Sequence, residues 1–433
     1  MGEGQGGFRT CPYCFPSPCG GGLRRGVGRG FLLLRLQDII ERGGLSVAEA
    51  WDVIVVGSGP AGCSTALHLV QRDPAWAGRI LVLEKARHPR PKLCGGGLTN
   101  YGEAILRDLG LRLAVPHVAL RKAYIRFQDL SWTLWGDPVF RVTRRDEFDA
   151  WLASEVRARG VTLHEGEPVT DVEPHPDGVT VVTHKARYQA RVLVAADGSK
   201  GIVRRRLGIE DGSRVARLLE VLTPEDPAFR PEFGASHPGD GPYAVFDYSP
   251  LLHHVQGYYW DFPCYVQGQA HLNRGVYDAR VHADAPRAAL KETLQAMLSQ
   301  RNITLEAHEL MGHPIRWFNP GAVFSLPHVL FVGDAAGADP LMGEGIAYAL
   351  AYGQVAAGAI ADAFASGDFR FSDYRQRILA HPLGRSLRRR AWLANLVYRI
   401  RNVHLLRLGW RIGRIVTRLG LGYVNPAAHF HFR

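Results

Sequence analysis

The residues best suited to chemistry lie in a glycine turn between two apolar strands. A β-branched run at residues 53–56 ends in Gly57-Ser58-Gly59-Pro60-Ala61-Gly62, and an Ala/Leu-rich helical pattern follows. A second apolar strand then closes on Glu84. A glycine turn at a helix start leaves N–H groups free for a pyrophosphate, and a later acid accepts ribose hydroxyls. Because both strands and the acid are in place, the stretch predicts a dinucleotide-binding βαβ unit.

Two later apolar strands, over residues 190–196 and 329–332, end in glycine and aspartate. The second strand is followed by a glycine-rich turn and a long Ala-rich helix. Strands of a doubly wound sheet present ligand contacts at their carboxyl ends, so we expect these ends to share one ligand with the glycine turn. The alternative interpretation is that this strand, turn and helix bind no ligand. The residues selected in this way are Asp197, Gly198, Gly333, Asp334, Pro340, Gly343, Gly345 and Ile346.

A third candidate segment is the run Cys94-Gly95-Gly96-Gly97, which follows the βαβ unit. Each glycine loses much backbone entropy when it is ordered, so three in a row suggest close approach of the backbone to a ligand. A flexible surface linker is the alternative.

Together these motifs resemble FAD-dependent oxidoreductases of the aromatic-hydroxylase type over about residues 51–365. Within that stretch, the pattern from Pro89 to Gly97 matches the PxxxxCGGG motif of the geranylgeranyl reductase family. The pattern from Tyr258 to Pro263 matches the YxWxFP motif of the same family. Val255 stands where that family often has proline, which affects the substrate pocket more than the cofactor site.

The resemblance implies a bound FAD and an apolar tunnel for a prenyl chain. The implied cofactor residues are Gly57, Gly59, Pro60, Ala61, Gly62, Glu84, Lys85, Cys94, Gly95, Gly96, Arg145, Asp197, Gly198, Gly333, Asp334, Pro340, Gly343, Gly345 and Ile346. The implied substrate residues are Tyr258, Trp260, Phe262 and Pro263, although residue type alone favours ordinary core. Cys94 could donate a proton or lock its loop, and its alternative is a small buried apolar residue.

The implied reaction saturates isolated double bonds of a polyprenyl (geranylgeranyl-type) group on a membrane-associated lipid. One alkene carbon would take a hydride from reduced flavin, and the other needs a proton. Because an isolated alkene offers no oxyanion to stabilise, rate should come from positioning and exclusion of water. The electron donor is NADPH or reduced ferredoxin. An FAD-dependent monooxygenase of an apolar substrate and a non-catalytic prenyl-lipid-binding protein are the two alternatives.

The order of elements predicts an α/β fold in which a Rossmann-like FAD-binding domain is interleaved with a mixed β-sheet substrate domain. A C-terminal helical segment completes it. The predicted boundaries are 51–100, 146–207 and 321–368 for the FAD-binding domain, 101–145 and 208–320 for the substrate domain, and 369–433 for a basic amphipathic helical tail.

The positive charge of the chain is concentrated in that tail. The net charge is +11, and residues 375–433 contain 13 arginines and no acidic residue, which leaves −2 for the rest. One helical face carries arginines beside an apolar stripe, with Trp392 and Trp410 as possible interfacial anchors. The face consists of Arg407, Arg411, Arg414 and Arg418, and the stripe of Leu408, Ile412, Ile415 and Leu419. The pattern predicts docking on an anionic membrane and no nucleic-acid binding; a helix that covers the enzyme's own core is the alternative.

Residues 1–50 differ in composition from the rest and are predicted to be a disordered extension. Their Cys11, Cys14 and Cys19 could be half of a zinc or cluster site, but they lack a partner pair, and we assign no metal site. The six cysteines are scattered, no signal-peptide pattern opens the chain, and no apolar run approaches the length of a membrane span. We therefore expect a cytoplasmic, peripherally membrane-associated protein.

Overall fold

The computed structural model describes residues 49–224, 242–416 and 419. The α-helices are α1 (Pro60–Arg72), α2 (Asn100–Asp108), α3 (Arg145–Ala158), α4 (Ile202–Arg206), α5 (Leu290–Ser299), α6 (Ile346–Ser366), α7 (Tyr374–Ala380), α8 (Pro382–Val397) and α9 (Val403–Val416). The strands are β1 (Ala50–Val56), β2 (Ile80–Glu84), β3 (Gly97–Thr99), β4 (His117–Phe127), β5 (Leu130–Thr143), β6 (Thr162–Glu165), β7 (Val169–His175), β8 (Gly178–Thr183), β9 (Arg187–Ala195), β10 (Val215–Pro224), β11 (Tyr243–Asp247), β12 (Gly257–Val266), β13 (Gln269–Asp278), β14 (Met311–Arg316), β15 (Ser325–Leu326) and β16 (Val329–Phe331). The predictions for the N-terminal extension and its three cysteines lie outside the described residues.

The first sheet has the order β15-β16-β9-β1-β2-β6, and the β7–β8 hairpin attaches to β9. At its centre β1 runs parallel to both β2 and β9, with Val55 opposite Val82 and Val194. These three residues are fully buried, as expected for a parallel sheet covered on both faces. The β-branched runs seen in the sequence therefore form its central strands.

Helices α1 and α6 pack directly against each other beside this sheet. The Ser64 hydroxyl in α1 donates to the Leu350 carbonyl in α6 at 2.7 Å. A Cβ on Gly353 would lie 2.6 Å from the Ser64 side chain, so only glycine allows this approach. The contact fixes the start of α6 relative to the glycine turn that precedes α1.

The second sheet has the order β14-β10-β13-β12-β11-β4-β5-β3, and its pairs are antiparallel except for β11 with β4. The chain passes between the two sheets four times, after β2, β5, β9 and β14. Two mixed sheets with covering helices confirm the predicted α/β fold. Within the described residues, no helix is both long and apolar enough to cross a membrane.

The C-terminal helices are joined to the second sheet. The Trp410 ring in α9 lies 5.1 Å from the ring of Phe127 and 5.4 Å from that of Tyr248, and Arg407 pairs with Asp129 at 2.6 Å. The interpretation of Trp410 as an interfacial anchor was therefore wrong, because its ring packs on the protein's own core. Other apolar side chains of α8 and α9 face solvent: Trp392, Leu393, Leu396, Leu405, Leu408, Ile412 and Ile415.

Candidate functional site

The glycine turn forms a tight cradle between β1, β9 and α1. Gly57 has φ +104°, and a Cβ on it would lie 2.5 Å from the Ala196 carbonyl oxygen. A Cβ on Gly62 would lie 2.0 Å from the Gly57 carbonyl oxygen. No side chain caps the start of α1 at Gly59, and Pro60 has no N–H, so the donors of the first turn without a side-chain acceptor are the N–H groups of Ala61 and Gly62.

Glu84 lies against the middle of this turn. Its Oε2 accepts from the Ser58 N–H at 3.0 Å and from the Ser58 hydroxyl at 2.8 Å, and its Oε1 accepts from the Ala86 N–H at 3.1 Å. Burial alone would raise the pKa of Glu84, but Arg90 and these hydrogen bonds outweigh it and hold the pKa below its ordinary value. The carboxylate is therefore ionised beside the turn. Lys85, the next residue, is exposed.

The two strand ends selected from the sequence both lie near the turn. Asp197 has its Cα 3.3 Å from the Cβ position of Gly57, and its Oδ2 accepts from the Val203 N–H at 2.9 Å. Its Oδ1 is buried and has no partner within the described residues. Burial raises the pKa of Asp197. Gly333 places its Cβ position 2.7 Å from the Ala61 Cβ, which brings the second strand end to the start of α1.

Asp334 follows Gly333 and faces the segment that leads into α6. Its Oδ1 lies 3.8 Å from the Cβ position of Gly345, and its Oδ2 accepts from the Ser199 hydroxyl at 3.4 Å. The start of α6 at Ile346 has no side-chain cap. The structure thus brings together the two strand ends and the starts of α1 and α6.

The loop before α6 is held by the buried Asp339. Its carboxylate accepts from the N–H groups of Leu341 at 2.8 Å and Met342 at 3.1 Å, and from the Arg390 guanidinium of α8 at 2.7 Å. The Pro340 carbonyl accepts from the Tyr277 hydroxyl at 3.2 Å. A Cβ on Gly343, which has φ +68°, would lie 3.1 Å from the Tyr277 ring.

The Cys94 loop joins the first sheet to the aromatic strand β12. The Cβ position of Gly95 lies 3.1 Å from the Phe262 ring and 3.4 Å from the Trp260 Nε1. A Cβ on Gly96, which has φ +79°, would lie 2.1 Å from the Thr143 carbonyl oxygen. The glycines therefore serve close contacts inside the protein, and the flexible-linker alternative does not describe them.

The aromatic residues of β12 form a packed cluster. Tyr258, Trp260 and Phe262 alternate along the strand and share one buried face. The Phe246 ring lies 5.3 Å from Tyr258 and 5.0 Å from Phe262. Pro263 lies on the opposite face. The Tyr258 hydroxyl donates to the Met342 carbonyl, which connects the cluster to the loop before α6. A tunnel along these residues stays a prediction.

Arg145 belongs to a buried chain of charges beside the same loops. Its guanidinium donates twice to Asp149, at 2.8 and 2.9 Å. Arg90 lies 3.2 Å from Asp149 and 3.5 Å from Glu84, so it links Arg145 to the acid beside the glycine turn. The Arg145 side chain is therefore held in place by charged side chains of the protein itself.

Two functional candidates escaped the sequence interpretation. Asn273 on β13 accepts from the Trp260 indole at 2.8 Å and donates to the Cys94 carbonyl at 3.1 Å. Glu220 on β10 is 1% exposed, and its Oε2 has no partner within the described residues. Burial raises the pKa of Glu220 to about 7, against the opposing effects of the Cys94 N–H and of Arg144 and Lys92. No local motif marks either residue, because each acquires its neighbours from other strands.

The site as a whole has the features that a dinucleotide cofactor requires. The glycine cradle, the uncapped helix starts and the ionised Glu84 suit the pyrophosphate and ribose of FAD. The unpartnered Asp197 oxygen is a free hydrogen-bond acceptor at the sheet edge. The residues present therefore fit the cofactor.

Comparison with known proteins agrees with this fit. Residues 50–351 match the family described as FAD binding domain. The chain is 30% identical to menaquinone reductase of Mycolicibacterium smegmatis over 71% of its own length and 75% of that protein. It is 28% identical to digeranylgeranylglycerophospholipid reductase 2 of Methanopyrus kandleri over 73% and 78% of the two chains.

A solved structure shares the fold. The crystal structure of a geranylgeranyl bacteriochlorophyll reductase-like protein from Thermoplasma acidophilum superposes with a TM-score of 0.64 at 21% identity. The match covers 87% of this chain and all of that one. At this identity the likeness concerns the fold alone.

Proposed function

The chain belongs to the FAD-binding domain family of oxidoreductases, and from this premise we propose that it saturates isolated double bonds in the polyprenyl group of a membrane-associated lipid. The names of the relatives support the substrate class, since menaquinone reductase and digeranylgeranylglycerophospholipid reductase point to isoprenoid lipids. Sequence identities of 30% and 28% do not identify which lipid is the substrate, so experiment must determine it.

The observation that carries the proposal is the contact between the Cys94 loop and the aromatic strand. Gly95 packs on Trp260 and Phe262, and Tyr258 bonds to the loop before α6. One aromatic face therefore touches both segments that flank the cofactor in our interpretation. An isolated alkene has no polar group that could form a hydrogen bond, so an aromatic face of this kind is the surface that can position it.

FAD, when bound and reduced, supplies the hydride for one alkene carbon. Glu84, Asp334 and the starts of α1 and α6 would hold it, and the buried aromatic residues would exclude water from the alkene. Within this proposal the other alkene carbon takes its proton from Glu220. The carboxyl is buried beside Cys94, and its raised pKa of about 7 keeps a large protonated fraction at neutral pH. The proton lost is then replaced from solvent.

The proposed substrate resides in a membrane, and the exposed side chains of α8 and α9 suit its surface. Trp392 is 65% exposed, and Leu408 and Ile412 are each 52% exposed, although residues of this type usually avoid water. Arg411 is exposed on the same helix α9. Apolar side chains beside cations favour peripheral docking on an anionic membrane. NADPH and reduced ferredoxin remain the proposed electron donors.

The test is reduction of a defined lipid by the purified holoprotein. A digeranylgeranyl phospholipid is mixed anaerobically with protein and dithionite, and the product is weighed by mass spectrometry. Mass gains in steps of two hydrogens, absent for the same lipid in saturated form, are expected. The flavin could instead be reduced while the lipid gains no mass. If the lipid is then hydroxylated when oxygen and NADPH are supplied, the protein is the monooxygenase. Protein that stays colourless after addition of FAD would establish the non-catalytic lipid binder.

A further inference from the structure

Three tyrosine hydroxyls hold three successive carbonyl groups of the loop before α6. The hydroxyls belong to Tyr277, Tyr398 and Tyr258, and the carbonyls, in the same order, to Pro340, Leu341 and Met342. The Tyr277 hydroxyl lies 3.2 Å from its acceptor and 3.4 Å from the neighbouring Asp339 carbonyl. Tyr277 and Tyr258 belong to β13 and β12, whereas Tyr398 directly follows α8. The loop is therefore fastened from the second sheet and from the C-terminal segment.

The N–H groups of the same three peptide units are held by Asp339. In a trans peptide unit the N–H and the C=O point in opposite directions, so a tyrosine on one side leaves the N–H on the other. The Asp339 carboxylate accepts from the N–H groups of Leu341 and Met342, at 2.8 and 3.1 Å. The Asp339 carbonyl accepts from the Gly343 N–H at 3.1 Å. All three peptide units are thus bonded on both sides by protein groups, and this segment does not need a ligand to satisfy its backbone.

The donors that remain lie at the start of α6. The N–H groups of Glu344, Gly345 and Ile346 have no acceptor within the part of the chain that the structure describes. Asp334 lies beside them, since its Oδ1 is 3.8 Å from the Cβ position of Gly345. Free N–H groups at a helix start suit an electron-rich atom of a ligand. The fastened loop therefore carries its free donors at the place where we expect the cofactor.

The three tyrosines are well suited to hold the loop. Their side chains are buried, since Tyr258, Tyr277 and Tyr398 are only 5%, 2% and 4% exposed. Burial raises the pKa of each hydroxyl well above its ordinary value, so all three keep their protons and remain donors. A loop that contains Gly343 and Gly345 would otherwise lose much backbone entropy at the moment when a ligand orders it.

We propose that Tyr258, Tyr277 and Tyr398 are positioning residues that order the loop before FAD binds, so that the donors at the start of α6 are already in place. Such preorganisation strengthens binding, because less of the protein has to be ordered when the ligand arrives. The inference deepens the proposed function: it rests on the FAD site, and it does not depend on which lipid is the substrate.

The test removes single hydroxyls from the full-length protein. Tyr277→Phe and Tyr398→Phe change loop tyrosines that lie outside the proposed substrate residues, and Tyr374→Phe is the matched control. Tyr374 on α7 is fully buried, and its hydroxyl donates to the Phe331 carbonyl at 3.2 Å, outside the loop. Because each change removes one bond from a hydroxyl to a carbonyl, urea titration should show similar losses of stability. Hydrogen exchange of residues 340–346 in the apoprotein, measured by mass spectrometry, should become about fivefold faster in the two loop variants only.

FAD binding is the second measurement. Fluorescence titration of the apoprotein should give a Kd about three- to tenfold higher in Tyr277→Phe and Tyr398→Phe than in the wild type, and an unchanged Kd in Tyr374→Phe. Equal exchange rates and equal Kd values in all three variants would overturn the proposal. Faster exchange of the loop without any rise in Kd would also overturn it, since the order of the loop would then not serve the cofactor. Reduction of a prenyl lipid is measured separately, and its failure would count against the proposed reaction alone.

Discussion

Arg390 of α8 donates to Asp339 at 2.7 Å, so a helix from the C-terminal segment holds the loop that precedes α6. The same guanidinium lies 3.0 Å from Glu344. Asp339 is fully buried and organises the N–H groups of the Leu341–Met342 turn. The C-terminal segment thus supports the proposed cofactor site, and a truncation at Arg385 would remove this support as well as the proposed membrane contact.

Replacement of Arg390 by methionine should destabilise the protein severely. The change leaves the Asp339 carboxylate buried without its cation, and loss of one partner from a buried pair costs about 3–5 kcal/mol. The free energy of unfolding, measured by urea titration, should fall by about 3 kcal/mol, toward the lower end because Arg390 is 21% exposed. Arg388→Met on the same helix is the control and should change it by less than about 0.5 kcal/mol. Equal effects of the two changes would show that the Asp339 contact contributes little.

Replacement of Glu84 by glutamine should weaken FAD binding. A charge-assisted hydrogen bond is worth about 1.5–3 kcal/mol, so the Kd for FAD should rise about 10- to 100-fold. Fluorescence titration of the apoprotein measures it. Ser58→Ala is the matched control, because it removes the hydroxyl that bonds Glu84 and keeps the carboxylate. If both variants bind FAD as the wild type does, Glu84 has no role in the cofactor site.

The stability of the protein should depend on the ionisation of Glu220. The pKa rises from 4.5 to about 7 on folding, so the folded state holds its proton more tightly than the unfolded state. Stability from this group is therefore present below pH 4.5 and is lost as the pH rises to about 7, by up to about 3 kcal/mol. Glu220→Gln should be more stable than the wild type at pH 8 and similar at pH 4.5. The exposed Glu292→Gln should show no such dependence in the same unfolding experiment.

Turnover should follow the same ionisation. If Glu220 donates the proton, Glu220→Gln should lower kcat about 100-fold or more and leave the rate of flavin reduction unchanged. The wild-type kcat should decline above about pH 7, as Glu220 loses its proton. The charged or titratable groups acting on it are Arg144, Lys92 and Cys264. A Cys94→Ala variant that loses turnover while Glu220→Gln keeps it would transfer the role to Cys94.

Apolar side chains of α9 should divide into membrane-facing and core-facing groups. Leu408→Ser/Ile412→Ser should weaken binding to anionic vesicles about tenfold without a change in unfolding, because both side chains are already exposed to water. Trp410→Ala should instead lower the free energy of unfolding by about 2–3 kcal/mol, since its ring packs on Phe127 and Tyr248. The reverse pattern would mean that α9 meets the membrane through its other face.

The local part of the site could be predicted because short-range spacing determines it. Gly57, Gly62 and Glu84 belong to one βαβ unit, and the order of strand, turn and helix brings them together without long-range information. The α/β fold class could be predicted for the same reason, because the order of strands and helices determines it.

The remaining part depends on strand pairing that the sequence does not reveal. Glu220 acquires its environment because β10 places it opposite Gly275 of β13, near Asn273 and the Cys94 loop. Trp410 was misassigned because an amphipathic helix pattern does not specify which of its apolar residues contact the core. At both positions the residue type indicates which chemistry the side chain can do, but its neighbours are known only from the tertiary structure.

The two faces of β12 have separate tasks, and this has a consequence for evolution. On the face opposite the aromatic cluster, Asp261 is bonded by Arg301 at 2.8 Å and by the Tyr259 hydroxyl at 2.6 Å, which fastens the strand. Residues 258, 260 and 262 can consequently vary without loss of that anchorage. If the proposed function is correct, a lineage could therefore adapt to prenyl chains of another length through a few substitutions on one face, while the scaffold stays intact.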